Sequence, residues 1–121
     1  GKNSVARYMD SIERLWEVIG HLNVGLCLDT CHTWAGGIPT IDAVKGFKKL
    51  VKKIDLIHFN DSKDGFESSR DRHENLGKGK IPKEELEYVI KNAKTDIIVE
   101  TPNGPDAQKK DIAWIKRRLN K

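Results

Sequence analysis

Amphipathic helical segments alternate with short apolar segments along the chain, and this alternation limits the possible folds more than any other property. From Val5 to Ile19 apolar residues recur at helical spacing, and the apolar run NVGLCLDT follows. A second helical segment, for which Thr40 is predicted as the N-cap, leads to IDLIHFND. A third, starting at Pro82, leads to DIIVET, and a last helical segment follows the break PNGP. We therefore predict the order αβαβαβα.

Strands that alternate with helices of this length form parallel βαβ units with right-handed crossovers. Three strands are few for a buried parallel sheet, and the chain opens with a helix rather than with a strand. A complete (β/α)8 barrel takes about 250 residues, whereas this chain has 121. We therefore expect an α/β fold in which residues 1–121 are a single partial domain, the C-terminal part of such a barrel, with three parallel strands and flanking helices.

The composition is that of a globular protein, with 37% hydrophobic and 33% charged residues. No apolar run approaches the roughly 20 residues of a membrane-spanning helix, so no membrane partner is expected. Cys27 and Cys31 are too close in sequence to staple a domain, which favours an intracellular, reducing setting. The net charge of +4 allows an anionic partner. Many lysines lie on predicted outer helix faces, however, so the net charge alone does not predict such a partner.

Residues two apart on a strand share a face, which predicts the direction of each strand's side chains. With Asp29, His58 and Glu100 directed into the barrel, their neighbours Leu28, Ile57 and Val99 face the helices. The residues expected to share the inner face are Gly25, Cys27, Leu56, Asn60 and Ile98. Each strand therefore carries a side chain that can bind metal at its C-terminal end, the end at which β/α barrels keep their active sites.

Imidazole and carboxylate side chains are concentrated at or just beyond these strand ends. They are Asp29, His32, His58, Asp71, His73 and Glu100. This mixture, with few thiols, suits Zn²⁺, Mn²⁺ or Fe²⁺ in an open catalytic site. Each residue alone also fits a capping or hydrogen-bonding role, and it is their coincidence at one end of three strands that favours a metal site.

Spacing within the motifs adds detail to this prediction. In an extended segment Asp71 and His73 project to one side, where both can bind one ion, while Arg72 projects to the other, toward an anionic ligand. Asp29 and His32 are three residues apart and can bind two neighbouring ions. We therefore expect a polynuclear centre.

The segment ENLGKGKIP has two readings. Gly77 and Gly79 permit a close backbone approach, and Lys78 and Lys80 can meet a phosphate, but the pattern is neither a P-loop nor a dinucleotide fingerprint. Alone it indicates a flexible turn before a helix. Beside a metal site, a phosphate-binding role gains weight.

Three segments, CLDTCHTWAGG, HFNDSKDGFESSRDRHENLGKGKI and VETP, resemble the C-terminal portion of endonuclease IV, and the similarity covers nearly the whole chain. The resemblance implies a TIM barrel with three clustered zinc ions that hydrolyses the phosphodiester 5′ to an abasic site in double-stranded DNA and leaves a 3′-hydroxyl. By motif, Asp29, His58 and Glu100 resemble the ligands of one zinc, with Asp29 and Glu100 acting in catalysis through the metal. His32, Asp71 and His73 resemble the full set of protein ligands of a second zinc, and Mn²⁺ is an alternative ion. Arg72, Lys78 and Lys80 resemble residues of DNA-contacting loops.

The chain departs from the family pattern in one respect. In the family, two histidines, a bridging glutamate and the residues that penetrate the duplex come from the first five strands, which have no counterpart in this sequence. The resemblance therefore implies that the chain alone is inactive or nearly so and that its partner is the missing N-terminal half of the barrel. The alternatives are a xylose-isomerase-like sugar isomerase or epimerase and a non-catalytic metal-binding remnant.

Overall fold

The computed structural model describes residues 9–22, 25–51 and 53–119, so the expected helix start at Val5 lies outside the described residues. Within these ranges the elements are α1 (Met9–Ile19), β1 (Cys27–Asp29), α2 (Thr30–Ala35), α3 (Thr40–Leu50), β2 (Leu56–His58), β3 (Asp61–Ser62), β4 (His73–Glu74), α4 (Lys83–Ala93), β5 (Asp96–Ile98) and α5 (Gly104–Leu119).

Three of the strands form the predicted parallel sheet, in the order β1-β2-β5. The register aligns Asp29 with His58 across the first pair of strands and His58 with Ile98 across the second. Glu100 follows two residues after Ile98 and therefore projects to the same face. The sheet thus brings three metal-capable side chains to its carboxyl edge.

One face of the sheet is covered by helices and carries the hydrophobic core. Leu28, Ile57 and Phe59 are fully buried there, among residues from α3, α4 and α5. On the opposite face Cys27 and Ile98 are exposed. Burying a large aliphatic or aromatic side chain contributes about 1.5–3 kcal/mol, and this gain fixes which side of each strand meets the helices. The predicted division of inner and outer residues is confirmed at these positions.

The structure adds elements that the sequence pattern does not predict. Helix α2 begins directly after β1, and its N-cap is Asp29, which accepts a hydrogen bond from the backbone N–H of His32. In the long polar loop, β3 and β4 pair as a short antiparallel ladder. The prediction that Thr40 is an N-cap is wrong, because the extended backbone of Pro39 occupies that position and Thr40 is the first residue of α3.

None of the helices in the described ranges is long and apolar enough to cross a membrane.

Candidate metal centre

The first group of potential ligands stands at the carboxyl ends of the parallel strands. Asp29 ends β1, His58 ends β2, and Glu100 follows β5, where its backbone N–H donates to Asn60 Oδ1 at 2.8 Å. His58 Nδ1 lies 2.7 Å from Glu100 Oε1. One ligand atom from each of Asp29, His58 and Glu100 lies within 4.8 Å of the others, which is the spacing expected of donors around one ion.

The second group comes from α2 and the β3–β4 ladder. His32 lies on α2, and its Nδ1 is 3.1 Å from Asp71 Oδ2. His73 begins β4, and its Nε2 is 3.7 Å from Asp71 Oδ1 and 3.6 Å from Asp29 Oδ2. His73 thus links the two groups. The six residues predicted from the sequence are all brought together at one end of the sheet.

The tautomer of His73 follows from its surroundings. Its Nδ1 lies 2.9 Å from the backbone carbonyl oxygen of Glu100. A carbonyl oxygen only accepts, so Nδ1 carries the proton and donates it, and in the neutral ring Nε2 keeps its lone pair. That lone pair is directed toward Asp29 and Asp71, as metal-binding histidines require.

Cys31 also lies in this region, although the sequence pattern does not mark it as a ligand. Its Sγ is within 4.8 Å of ligand atoms of Asp71 and His73. However, the thiol is buried and donates to the carbonyl oxygen of Arg72 at 3.4 Å. Burial raises the pKa of the Cys31 thiol far above its usual value, which disfavours the thiolate that binds metals. His32 is therefore the better third donor beside Asp71 and His73.

The carboxylates of the centre differ in their environments. Burial raises the pKa of Asp29, and the N–H of His32 partly offsets this effect. The hydrogen bond from His32 lowers the pKa of Asp71, and the same contact raises the pKa of His32. In the metal-free chain, Asp71 and His32 therefore stabilise each other's charged forms.

The donor set fits a divalent metal ion. Three carboxylates and three imidazoles are the ligands that Zn²⁺ and Mn²⁺ accept. Asp71 Oδ1 is buried and has no hydrogen-bond partner among the residues that the structure describes. Because an unpaired buried acceptor is costly, a cation beside Asp71 Oδ1 would satisfy an atom that the protein leaves unsatisfied.

The Gly-Lys-Gly turn, residues 77–80, is held by a carboxylate that the sequence pattern does not reveal. Asp61 Oδ2 accepts from the backbone N–H groups of Gly77 and Gly79, each at 3.0 Å, and Oδ1 accepts from those of Ser62 at 2.8 Å and Ile81 at 3.1 Å. These backbone N–H groups therefore donate to Asp61 rather than to an external phosphate. A Cβ on Gly79 would lie 2.3 Å from the carbonyl oxygen of Ser62, which explains why position 79 has no side chain.

The three residues predicted to contact DNA lie on the surface. Lys78 and Lys80 project from the turn and are exposed. The Arg72 guanidinium is 55% exposed and donates to both carboxylate oxygens of Asp64, from Nε at 2.8 Å and from Nη2 at 2.6 Å. Arg72 is thus paired within its own loop.

Asp61 was missed because nothing in HFND distinguishes it from a capping or surface aspartate. Its partners lie between 1 and 20 positions further along the chain. Asn60 was expected only to face inward, yet its side chain positions Glu100. Its buried backbone N–H and carbonyl oxygen are both bound by the Thr30 hydroxyl, at 2.8 and 2.6 Å. The only signal in the sequence is that both residues lie within three positions after His58.

Comparison with known proteins identifies the family to which the fold belongs. The family model for the xylose isomerase-like TIM barrel matches residues 2–118. The "Probable endonuclease 4" of Mycobacterium ulcerans is 45% identical over 120 residues, which cover 99% of this chain and 47% of that protein. That of Mycobacterium bovis is 47% identical over 118 residues, covering 98% and 46%.

A crystal structure of endonuclease IV from Thermus thermophilus superimposes with a TM-score of 0.80 at 26% identity, covering 99% of this chain and 46% of that one. The chain thus spans about half the length of the relatives that it matches. The expected fold class, part of a TIM barrel with three parallel strands, is confirmed. The chain belongs to the xylose isomerase-like TIM barrel family and resembles the C-terminal portion of endonuclease IV.

Proposed function

We propose that this chain is the C-terminal part of a zinc-dependent apurinic/apyrimidinic endonuclease of DNA base-excision repair. The complete enzyme hydrolyses the phosphodiester 5′ to an abasic site in double-stranded DNA and leaves a 3′-hydroxyl. The observation that carries this proposal is the convergence of six predicted ligands at one end of the sheet, linked through His73. The names of the relatives, endonuclease 4, agree with it.

Two zinc sites are proposed from the geometry of the centre. Asp29, His58 and Glu100 would hold one ion, and Glu100 and Asp29 would act in catalysis through it. The second ion would be held by His32, Asp71 and His73. Zinc at such a centre supplies activation of water near neutral pH and neutralises charge on the attacking and leaving oxygens of the phosphodiester. Mn²⁺ is an alternative ion for the same donors.

The remaining residues of the centre act by positioning the ligands. The Glu100 carbonyl holds His73 with Nε2 facing the carboxylates, and Asn60 anchors the backbone of Glu100. Since a ligand held in the binding orientation loses little freedom when the metal arrives, these contacts increase metal affinity. No side chain of this chain is required as a nucleophile.

DNA contacts are proposed for three exposed cations, Lys78, Lys80 and Arg72. Lys78 and Lys80 project from the turn that Asp61 fixes, so their backbone positions are defined before DNA binds. Arg72 is half-exposed, and Asp64 accepts from its Nε and Nη2 groups only, so the remaining N–H groups of the guanidinium can donate to a phosphate. Phosphate contacts of this kind make binding weaken as salt rises.

Residues 1–121 would form a single partial domain, completed by the N-terminal half of the barrel. Among the described residues β1 and β5 each pair on one side only. Ile98 is 47% exposed on the face opposite the helices. Unpaired strand edges and exposed apolar surface favour association with another segment. We therefore expect the chain alone to be inactive or nearly so.

The test uses the complete open reading frame that carries this chain and a duplex with one tetrahydrofuran abasic analogue. We expect incision 5′ to the analogue that a chelator abolishes and zinc restores. His58→Gln should remove incision, while His21→Gln, a histidine outside the cluster, should not. Metal-loaded, folded protein that leaves the duplex intact would refute the proposal.

The same preparation separates the alternatives. Metal-dependent interconversion of an aldose and a ketose without DNA incision would favour a sugar isomerase, whose reaction also uses Asp, Glu and His around divalent ions. Retention of zinc without either activity would favour a metal-binding remnant. The isolated chain should bind zinc yet incise far more slowly than the complete protein, and comparable turnover would contradict the expected need for the other half.

A further inference from the structure

An open groove of about 530 Å³ lies between the Gly-Lys-Gly turn and α5, outside the metal centre. Its polar and aromatic lining includes Lys78, Asn103, Asp106, Lys110, Trp114 and Arg117. Gly77, with φ +80°, allows the turn to lie against Trp114, because a Cβ there would be 3.1 Å from the indole nitrogen. The groove is bounded by the turn, by Asn103 in the loop after β5 and by one face of α5.

The charged groups of the groove favour an anion. Lys78, Lys110 and Arg117 are exposed, and none of them has an ion-pair partner among the residues that the structure describes. Of the two lining acids, Asp106 is exposed and Asp111 is buried. Asp111 is already occupied, since it accepts from Asn75 Nδ2 at 2.8 Å and from the backbone N–H of Leu76 at 3.0 Å.

The walls of the groove are fixed to each other by hydrogen bonds that meet at the buried side chain of Asn75. Asn75 Nδ2 donates to Asp111 on α5 and to the carbonyl oxygen of Pro102, at 3.0 Å. Asn103 Nδ2 donates to Asn75 Oδ1 at 2.6 Å. The turn, the loop after β5 and α5 are thus connected at a single residue, Asn75, which is 4% exposed. A ligand would meet cations whose backbone positions are already set.

The spacing of the cations suits a linear polyanion better than a single small ion. Lys110 and Arg117 are seven residues apart on α5. At 1.5 Å per residue this is about 10 Å along the helix axis, roughly the rise of three nucleotides at 3.4 Å per strand step. Lys78 faces them from the opposite wall. Phosphates about three nucleotides apart on one strand can therefore reach Lys110 and Arg117.

We propose that this groove binds phosphodiesters of the DNA strand that extends beyond the metal centre. The choice of DNA as the source of the phosphates rests on the proposed function. The groove would lengthen the DNA contact from the tip of the turn, at Lys78, down the outer face of α5. It contributes affinity that is independent of the lesion, because phosphate contacts carry no sequence information.

The test compares two double variants of the complete open reading frame. Lys110→Gln with Arg117→Gln removes two groove cations, whereas Lys109→Gln with Lys116→Gln removes two exposed cations of the same helix that do not line the groove. Binding to a long undamaged duplex is measured by fluorescence anisotropy over a series of salt concentrations. All four side chains are exposed, so the thermal unfolding midpoints should match that of the wild type.

We expect the groove variant to reduce the slope of log Kd against log salt by about 2, close to 0.9 for each lost phosphate contact. The helix control should leave the slope unchanged. On a duplex too short to extend past the metal centre, the groove variant and the wild type should bind alike. Equal slopes for groove variant and wild type on the long duplex, or equal losses in both variants, would overturn the proposal.

Two further measurements distinguish DNA from free phosphate as the ligand of the groove, and the proposal about the groove from the proposed endonuclease function. Inorganic phosphate could shift the NMR signals of Lys110 and Arg117 while the groove variant leaves the slope of log Kd for DNA against log salt unchanged. In that case the groove binds free phosphate and the inference about DNA is wrong. If the abasic duplex is never incised but the groove variant still lowers the slope, the proposed endonuclease function fails and the inference about the groove stands.

Discussion

Replacing Asp61 by Asn would remove half of the acceptors that hold the Gly-Lys-Gly turn. The two carboxylate oxygens accept four backbone N–H groups, and the residue is fully buried. An Asn side chain offers one oxygen, which serves one pair of these N–H groups, while its amide NH₂ faces the other pair as a second donor. Two backbone N–H groups therefore lose their acceptor in either orientation of the amide.

The size of the effect follows from the number of lost bonds. A hydrogen bond to a charged group contributes about 1.5–3 kcal/mol. Burial raises the pKa of Asp61, with the N–H groups opposing that rise, so removing the charge recovers part of the loss. With the lower end of the range for each of two bonds, we expect the free energy of unfolding to fall by about 3 kcal/mol. This is a large share of the roughly 5–15 kcal/mol of a typical domain.

Urea denaturation followed by tryptophan fluorescence measures this loss, and amide hydrogen exchange localises it. The amides of Gly77, Gly79 and Ile81 should be protected in the wild type and exchange faster in the variant. Asp96→Asn, the same change at an exposed position, is the control and should alter stability by no more than about 0.5 kcal/mol. A loss below about 1 kcal/mol with unchanged amide protection would refute the assignment of Asp61 as the anchor of the turn.

Three other perturbations test the surroundings of the site. Gly79→Ala should lower the unfolding free energy by about 2 kcal/mol in urea denaturation, because its Cβ would lie 2.3 Å from a β3 carbonyl oxygen, whereas Gly65→Ala, with nothing within 4 Å, should not destabilise. In chelator-treated protein, pairing raises the pKa of His32 and lowers that of Asp71. The pair therefore contributes stability fully between about pH 4 and pH 6.5 and loses it as pH rises through the raised pKa or falls through the lowered one. His32→Gln should destabilise most near pH 5, and the difference in unfolding free energy should shrink as pH rises through the raised pKa of His32. A pH-independent difference would contradict the pairing. Glu100→Gln should lower the zinc content by about one ion per chain in elemental analysis, and full zinc retention would exclude Glu100 as a ligand.

The alternation of helical and strand patterns determined the fold class. The spacing of apolar residues that is typical of a helix or of a strand can be recognised within a short segment of the sequence. Apolar residues such as Leu28 and Ile57 had to face the helices, and this choice alone directed Asp29 and His58 to the other face. Parallel strands share a carboxyl edge, so the sequence also determined that these side chains meet. Asp29, His58 and Glu100 could be predicted for this reason, whereas His32, Asp71 and His73 lie outside the parallel strands and were predicted from the spacing within their motifs.

Only the tertiary structure decided which backbone groups these residues hold. Asp61 binds amides up to 20 positions away, Asn75 joins a turn to a helix 36 positions further along, and the Glu100 carbonyl sets the tautomer of His73 across 27 positions. These hydrogen-bond partners cannot be recognised from the spacing of residues in the sequence, because they depend on how two separately formed elements pack. The same packing turned the Gly-Lys-Gly segment from a potential phosphate cradle into a turn whose amides are bound to Asp61, leaving its lysines as the groups free to meet an anion.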